Sequence, residues 1–136
     1  MLGFGTQCLD GALNGTPDLI VTNGHIHQDA GPHVEFEMEP QYFLNSGEAT
    51  FVELSAQTVG RFFSQKRLGR GMARLDWNRD GLEDVVISHI GAPAALLTNT
   101  TFPCGNYISI SLRGVESDRD ATGTIVTLAA GDLTLV

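Results

Sequence analysis

Short runs of alternating or β-branched apolar residues, separated by turns rich in glycine and aspartate, recur along most of this chain. Such runs are typical of short β-strands, because a half-buried strand turns every second side chain to the core. The pattern predicts strands near residues 4–9, 18–23, 41–45, 50–54, 70–75, 84–89 and 94–98. Residues 56–68 interrupt it and predict a short helix or an irregular loop, with Phe62 and Phe63 as packing residues.

The C-terminal part of the chain continues the strand pattern. Residues 106–112 (Asn-Tyr-Ile-Ser-Ile-Ser-Leu) alternate cleanly and predict a half-buried strand. Residues 124–129 and 133–136 predict a hairpin around Gly131-Asp132. With the sixteen glycines of the chain and few strong helix-forming runs, these patterns predict an all-β protein.

The chain also repeats itself at an offset of 66 residues. Residues 2–10 align with 68–76 through Gly-x-Gly and Leu-Asp, and the match continues from Asp18-Leu-Ile-Val to Asp84-Val-Val-Ile. Self-similarity at a fixed period is the signature of a repeat architecture, usually a propeller or a solenoid. We therefore expect two structurally similar units.

The second copy contains the richest chemistry, the loop Asp-Trp-Asn-Arg-Asp-Gly-Leu-Glu-Asp at residues 76–84. Oxygen-bearing side chains occupy its positions one, three, five and nine, and a glycine at position six permits a sharp turn. This alternation directs oxygens toward a hard cation such as Ca²⁺, and a backbone carbonyl at position seven can add another ligand. The predicted ligands are Asp76, Asn78, Asp80, the Leu82 carbonyl and Asp84.

This loop differs from an EF-hand, which needs a bidentate Glu at position twelve. That position is Ile87, and it lies within a β-branched run, Val85-Val86-Ile87, rather than in an exiting helix. Asp84 therefore closes the loop, and the pattern predicts a strand-loop-strand calcium site.

The first copy of the loop is degraded as a metal site. Asp10, Asn14 and Asp18 keep positions one, five and nine, and Thr16 occupies position seven, but position three is Ala12. With fewer carboxylates and one ligand lost, this loop is expected to bind calcium weakly or not at all. We prefer to interpret it as a β-turn whose acids cap backbone N–H groups.

These features together resemble the FG-GAP/VCBS-type propeller repeats of the cartilage acidic protein group. Each half resembles the repeat in its Gly-x-Gly, its Asp-rich loop and the apolar strand that follows. Further similarities are Asn23-Gly24-His25, the hairpin pattern of residues 43–51 and its opening at 96–99. Residues 112–123 (Leu-x-Gly-x-x-Ser-x-Arg-Asp-Ala-x-Gly) resemble the start of an ASPIC/UnbV domain.

The resemblance implies a fold and a division of the chain. The fold would be a fragment of a β-propeller-like repeat array, about two blades, with extra C-terminal strands. Residues 1–55 would form the first repeat, 56–68 a connector, 69–104 the second repeat and 105–136 the beginning of the last domain. The implied role is that of a calcium-binding extracellular repeat module in adhesion, with a protein or glycan as ligand.

Charge and hydropathy limit the partners. The formal net charge of −8 argues against nucleic acid, because phosphate binding needs clustered Lys and Arg. No run approaches the roughly 20 apolar residues of a membrane span. Composition and the resemblance lead us to expect a secreted or cell-envelope protein. Because the chain begins directly in repeat sequence, its export signal is expected to lie outside this segment. Two cysteines, Cys8 and Cys104, are too few for a disulfide scaffold.

An alternative hypothesis is a metal-dependent hydrolase or sugar-active domain. His25 and His27 follow an apolar strand, and with Glu35 they could be ligands of zinc or iron. The spacing is unfavourable, since Glu35 lies eight residues after His27. Nucleophile elbows and phosphate-binding glycine loops are missing from the sequence, and we expect no catalytic activity.

The number of repeats leads to a last expectation. Two blades cannot close a propeller, which needs at least about four. Strand edges that neighbouring blades would cover are then open, and open edges favour pairing with another chain. The sequence therefore predicts self-association.

Overall fold

The computed structural model describes residues 1–29, 31–48, 50–131 and 133–135, without the side chains of residues 133 and 135. The protein is all-β, as predicted. Residues 3–53 contain a four-stranded antiparallel sheet, residues 69–97 a three-stranded one, and residues 128–135 a hairpin.

The strands of the first sheet follow one another in chain order. They are β1 (Gly3–Leu9), β2 (Asp18–Asn23), β3 (Gln41–Asn45) and β4 (Phe51–Glu53). The second sheet has the order β5 (Gly69–Leu75), β6 (Asp84–His89) and β7 (Ala95–Leu97). The predicted strand boundaries agree with these bounds to within a residue or two.

A short helical segment connects the two sheets. It consists of α1 (Ala56–Val59) and a 3₁₀ turn (Arg61–Ser64), so the short-helix alternative for residues 56–68 is confirmed. Within the described part of the chain, none of the helices is long and apolar enough to cross a membrane.

The two sheets are built alike, as the repeat predicts. Leu9 pairs with Asp18 in the first sheet, and Leu75 pairs with Asp84 in the second. Both first strands carry an irregularity at the same place, after Gly3 and after Gly69. The offset of 66 residues found in the sequence therefore holds for the pairing register of both hairpins.

A single core joins the sheets. β1 packs against β5, and the buried cluster consists of Leu9, Ile20, Phe63, Val85 and Ile87. Phe62 packs at its margin, which confirms the predicted packing role of both phenylalanines. Because these side chains come from both sheets and from the connector, the two units are not independent of each other.

The predicted strand at residues 106–112 is wrong. These residues form no strand, and the side chains of Ile108 and Ile110 are 60% and 50% exposed. Alternation creates an apolar face, but a strand also needs a neighbour to pair its backbone groups. Residues 106–112 have no such neighbour within the described chain.

The C-terminal hairpin is present but shorter than predicted. It consists of β8 (Leu128–Ala130) and β9 (Leu133–Leu135), so its first strand begins at Leu128 rather than at residue 124. Asp132 of the predicted turn and Val136 at the predicted strand end lie outside the described residues, as does Ala49 in the hairpin of residues 43–51.

Candidate functional site

The two aspartate-rich loops have the same backbone conformation. At position four Leu13 and Arg79 both have positive φ, +52° and +61°. At position six Gly15 and Gly81 have φ of +82° and +88°. Since left-handed backbone disfavours most residues other than glycine, its recurrence at two equivalent positions shows that both loops follow the same path.

Position one holds the turn together in both loops. The two carboxylate oxygens of Asp76 accept hydrogen bonds from the backbone N–H groups of Asp80 (3.1 Å) and Gly81 (3.0 Å). The carboxylate of Asp10 accepts the equivalent bonds from Asn14 (2.9 Å) and Gly15 (2.7 Å). Each acid thus caps N–H groups that the tight turn leaves without a backbone partner.

Position five has the same local role with a different charge. Asp80 Oδ1 accepts a hydrogen bond from the Leu82 N–H (2.9 Å), and Asn14 Oδ1 accepts one from the Thr16 N–H (2.8 Å). In the second loop Asp80 also accepts a bond from the side-chain amide of Asn78 (2.7 Å). Ala12, which replaces Asn78 in the first loop, can provide no such group.

The acids at position nine are buried and bind other parts of their own units. Asp84 accepts hydrogen bonds from the N–H groups of Trp77 (3.0 Å) and Asn99 (2.8 Å). Asp18 accepts them from the Tyr42 hydroxyl (2.6 Å) and the Asn45 N–H (2.8 Å). Each carboxylate thereby ties its loop or strand to the end of the third strand of the sheet.

The contact with Asp18 changes the ionisation of Tyr42. Burial raises the pKa of the Tyr42 phenol well above its ordinary value, and the hydrogen bond to Asp18 and the negative charge of that carboxylate raise it further. Tyr42 therefore remains a protonated donor to Asp18 at every physiological pH.

The second loop suits a hard cation by its donor chemistry. The side chains at its predicted ligand positions are three carboxylates and one amide, the ligand types that Ca²⁺ prefers. Each hydrogen-bonded carboxylate oxygen keeps a second lone-pair position that an ion could use. In the described residues, however, no three His, Cys, Asp or Glu side chains are grouped to hold a metal ion. The carboxylates of Asp76, Asp80 and Asp84 instead accept hydrogen bonds from backbone N–H groups of the protein.

The side chains of the alternative site are engaged separately. Nδ1 of His25 lies 3.0 Å from the His27 backbone nitrogen, which donates a hydrogen bond to it, and the two rings lie 6.3 Å apart. Glu35 forms an ion pair with Lys66, and this hydrogen bond raises the pKa of the lysine. Glu35 and the histidines thus have different partners.

An open cavity of about 510 Å³ adjoins the second loop. It is lined by Asn78, Asp80 and Leu82 of the second loop, by Leu13 of the first loop, and by residues 98–102 and 104–107. The predicted ligand side chains at positions three and five therefore face solvent-accessible space. Cys8 and Cys104 are free and exposed, so no disulfide constrains this region.

The sequence did not predict the residues whose hydrogen bonds connect the loops to their sheets. Asn45 and Asn99 donate their backbone N–H groups to the buried acids Asp18 and Asp84. The side-chain oxygen of each asparagine accepts a hydrogen bond from the backbone N–H two residues further along the chain. Asn45 is the last residue of β3, and Asn99 lies two residues after the end of β7. This recurrence was visible in the sequence as a hairpin similarity, but its bond to the acid was not.

Comparison with family models, with curated proteins and with solved structures gives no match for this chain. The resemblance to FG-GAP/VCBS repeats and to an ASPIC/UnbV domain therefore stays a prediction that rests on the motifs themselves.

Proposed function

We propose that this chain is a non-catalytic, calcium-binding module of two propeller-like repeats, with the ion held in the loop of residues 76–84. One observation carries the proposal: the second loop has more negative charge and more ligands than its turn requires. The first loop provides the comparison within the same molecule.

The first loop forms the same turn with fewer charged and polar side chains. The side-chain oxygen of Asn14 accepts a hydrogen bond from the Thr16 N–H at 2.8 Å. The carboxylate of Asp80 accepts the equivalent bond from the Leu82 N–H at nearly the same distance, 2.9 Å. A neutral amide is therefore sufficient for the hydrogen bond at position five. The Asn78 amide forms two hydrogen bonds with Asp80, but the first loop follows the same path with Ala12 at that position. The turn therefore requires neither the charge of Asp80 nor the amide of Asn78, and both are suited to binding a cation.

The surplus charge has a cost without an ion. Asp76, Asp80 and Asp84 place three carboxylates in nine residues, and Glu83 is occupied by its ion pair with Arg74. Like charges at such spacing repel one another. A bound divalent cation would remove this repulsion, with Asp76, Asn78, Asp80, the Leu82 carbonyl and Asp84 as its ligands.

The proposal extends to the context that the resemblance implies. In that context the module is extracellular, and its partner is a protein or a glycan. Exposed apolar residues between the second sheet and the C-terminal hairpin favour self-association. Val115 and Ile125, which are 94% and 78% exposed, support the last point. Light scattering at rising protein concentration tests it, and a monomer throughout contradicts it.

Thermal unfolding with and without calcium tests the metal site. We expect calcium to stabilise the chelated protein by about 2.7 kcal/mol at a concentration one hundred times its dissociation constant. Asp80→Ala should remove most of this gain. Asn14→Ala is the matched control, because it deletes the equivalent hydrogen bond from the first loop and should reduce the calcium response far less than Asp80→Ala does.

Zinc provides the opposing test. A calcium response that is equal in the wild type and in Asp80→Ala contradicts the proposed site. Tight stoichiometric zinc binding that disappears in the double variant His25→Ala, His27→Ala would support the hydrolase alternative instead.

A further inference from the structure

One segment crosses both loops. Residues 99–107, here called the strap, begin where Asn99 donates its N–H to Asp84 of the second loop and its side-chain amide to the Gly11 carbonyl of the first (2.9 Å). Further along, the Gly105 N–H donates to the Ala12 carbonyl (2.9 Å). The strap ends with the Tyr107 ring against Gly81.

Two glycines make these contacts possible. A Cβ at Gly105 would collide with the Leu13 carbonyl of the first loop, and a Cβ at Gly81 would collide with the Tyr107 ring. The equivalent of Gly81 in the first loop, Gly15, has open space around its Cα. The strap therefore fits closely against the second loop at a surface that the first loop leaves free.

A second contact, independent of the strap, also connects the two loops. The carboxylate of Glu83, beside Asp84 in the second loop, accepts a hydrogen bond from the Asp10 N–H of the first loop (3.1 Å). Its other oxygen pairs with Arg74 (2.7 Å). The first loop is thus bonded to the second unit through Glu83, Asn99 and Gly105.

We propose that the strap couples the two loops, so that ordering of the second loop also orders the first. The physical reason is that the strap can contact both loops only while each keeps its folded path. If the second loop opens, the Tyr107 ring loses its contact with Gly81. The strap then moves, and the hydrogen bonds from Asn99 and Gly105 to the first loop break.

The coupling gives the metal site a regulatory role, and this part rests on the proposed function. The strap also lines the cavity onto which Asn78 and Asp80 open. Calcium in the second loop would then lower the rate of opening in the first loop, although the ion has no ligand there. The opening rate of the first loop would therefore report whether calcium is bound in the second loop.

Hydrogen exchange of the backbone amides tests the coupling directly. The readout is the exchange of Asn14, Gly15 and Thr16, whose N–H groups bond within the first loop. Tyr107→Ala, which removes the contact of the ring with Gly81 of the second loop, should speed their exchange in chelator at least about fivefold, the low end of coupling between sites. Phe102→Ala is the control, since this aromatic residue of the strap is 91% exposed.

Two outcomes separate this proposal from the proposed function. Faster exchange that is confined to residues 76–84 in Tyr107→Ala overturns the coupling, whatever calcium does. If the wild type shows no protection by calcium in either loop, the metal site is contradicted, and the chelator experiment still decides the coupling. Gly105→Ala should release the first loop even where Tyr107 remains seated.

Discussion

The loops of residues 10–18 and 76–84 are two versions of one structure. They share positive φ at positions four and six, the capping of two N–H groups by the first acid, and a buried acid at position nine. They differ at positions three and five, where the first has Ala12 and Asn14 and the second has Asn78 and Asp80. The difference teaches that hydrogen bonds to the backbone are sufficient for the turn, and that the added oxygens of the second loop serve another purpose.

The largest expected effect concerns what the loops share. Asp84→Ala and Asp18→Ala each leave two donors without a buried acceptor, and each unpaired buried group costs about 1–3 kcal/mol. In chelator both variants should lose about 2–6 kcal/mol of unfolding free energy, as urea denaturation would measure. Calcium should increase the stability difference between wild type and Asp84→Ala more than that between wild type and Asp18→Ala. An equal increase for the two variants would contradict the assignment of the ion to the second loop.

A smaller difference should separate the two glycines at position six. Both Gly15→Ala and Gly81→Ala introduce a side chain at positive φ, a strain of about 1–3 kcal/mol. Gly81→Ala also displaces the Tyr107 ring, so it should be the more destabilising of the two in urea denaturation. In the background of Tyr107→Ala the two costs should become equal. A difference that persists there would show that the ring is not its cause.

The smallest effect is a pH dependence of the first unit. The pKa of Tyr42 is raised in the folded protein, so above about pH 10, the ordinary value for tyrosine, the unfolded chain loses the phenol proton first. The contribution of Tyr42 to stability is therefore complete below that pH and is lost as the pH rises toward the folded pKa.

Tyr42→Phe isolates this effect. At neutral pH it should cost about 1 kcal/mol, because the Tyr42 hydroxyl no longer donates to Asp18. Above about pH 10 its stability should fall less steeply than that of the wild type in thermal unfolding. Identical slopes would contradict the bond from Tyr42 to Asp18.

The sequence predicted the strands of both sheets because local alternation and turn residues agree with the tertiary structure there. Asp18 and Asp84 were predicted as metal ligands from their spacing, yet their hydrogen bonds to Asn45 and Asn99 depend on the third strand of each sheet. Such contacts between segments distant in the chain are set by packing, which periodicity does not contain. For the same reason the prediction for residues 106–112 was wrong. Their alternation is that of a strand, but a strand forms only where a neighbouring strand pairs its backbone groups.

The strap was beyond sequence reasoning for a related cause. Gly105 and Gly81 are ordinary glycines in the sequence, and only their close approaches to Leu13 and Tyr107 give them a role. The calcium loop itself is different, because its ligand pattern lies within nine consecutive residues. The chemistry of this site can therefore be read locally, whereas its connection to the first loop cannot.

The most direct test exchanges the two loops' differences. Calorimetric titration with calcium would compare the wild type with two double variants. Asn78→Ala, Asp80→Asn gives positions three and five of the second loop the residues of the first, and Ala12→Asn, Asn14→Asp does the reverse. We expect one ion for the wild type, none for the first variant and two for the second. Absence of binding to the wild type, or unchanged binding in the first variant, would contradict the claim that the surplus oxygens of residues 76–84 hold a calcium ion.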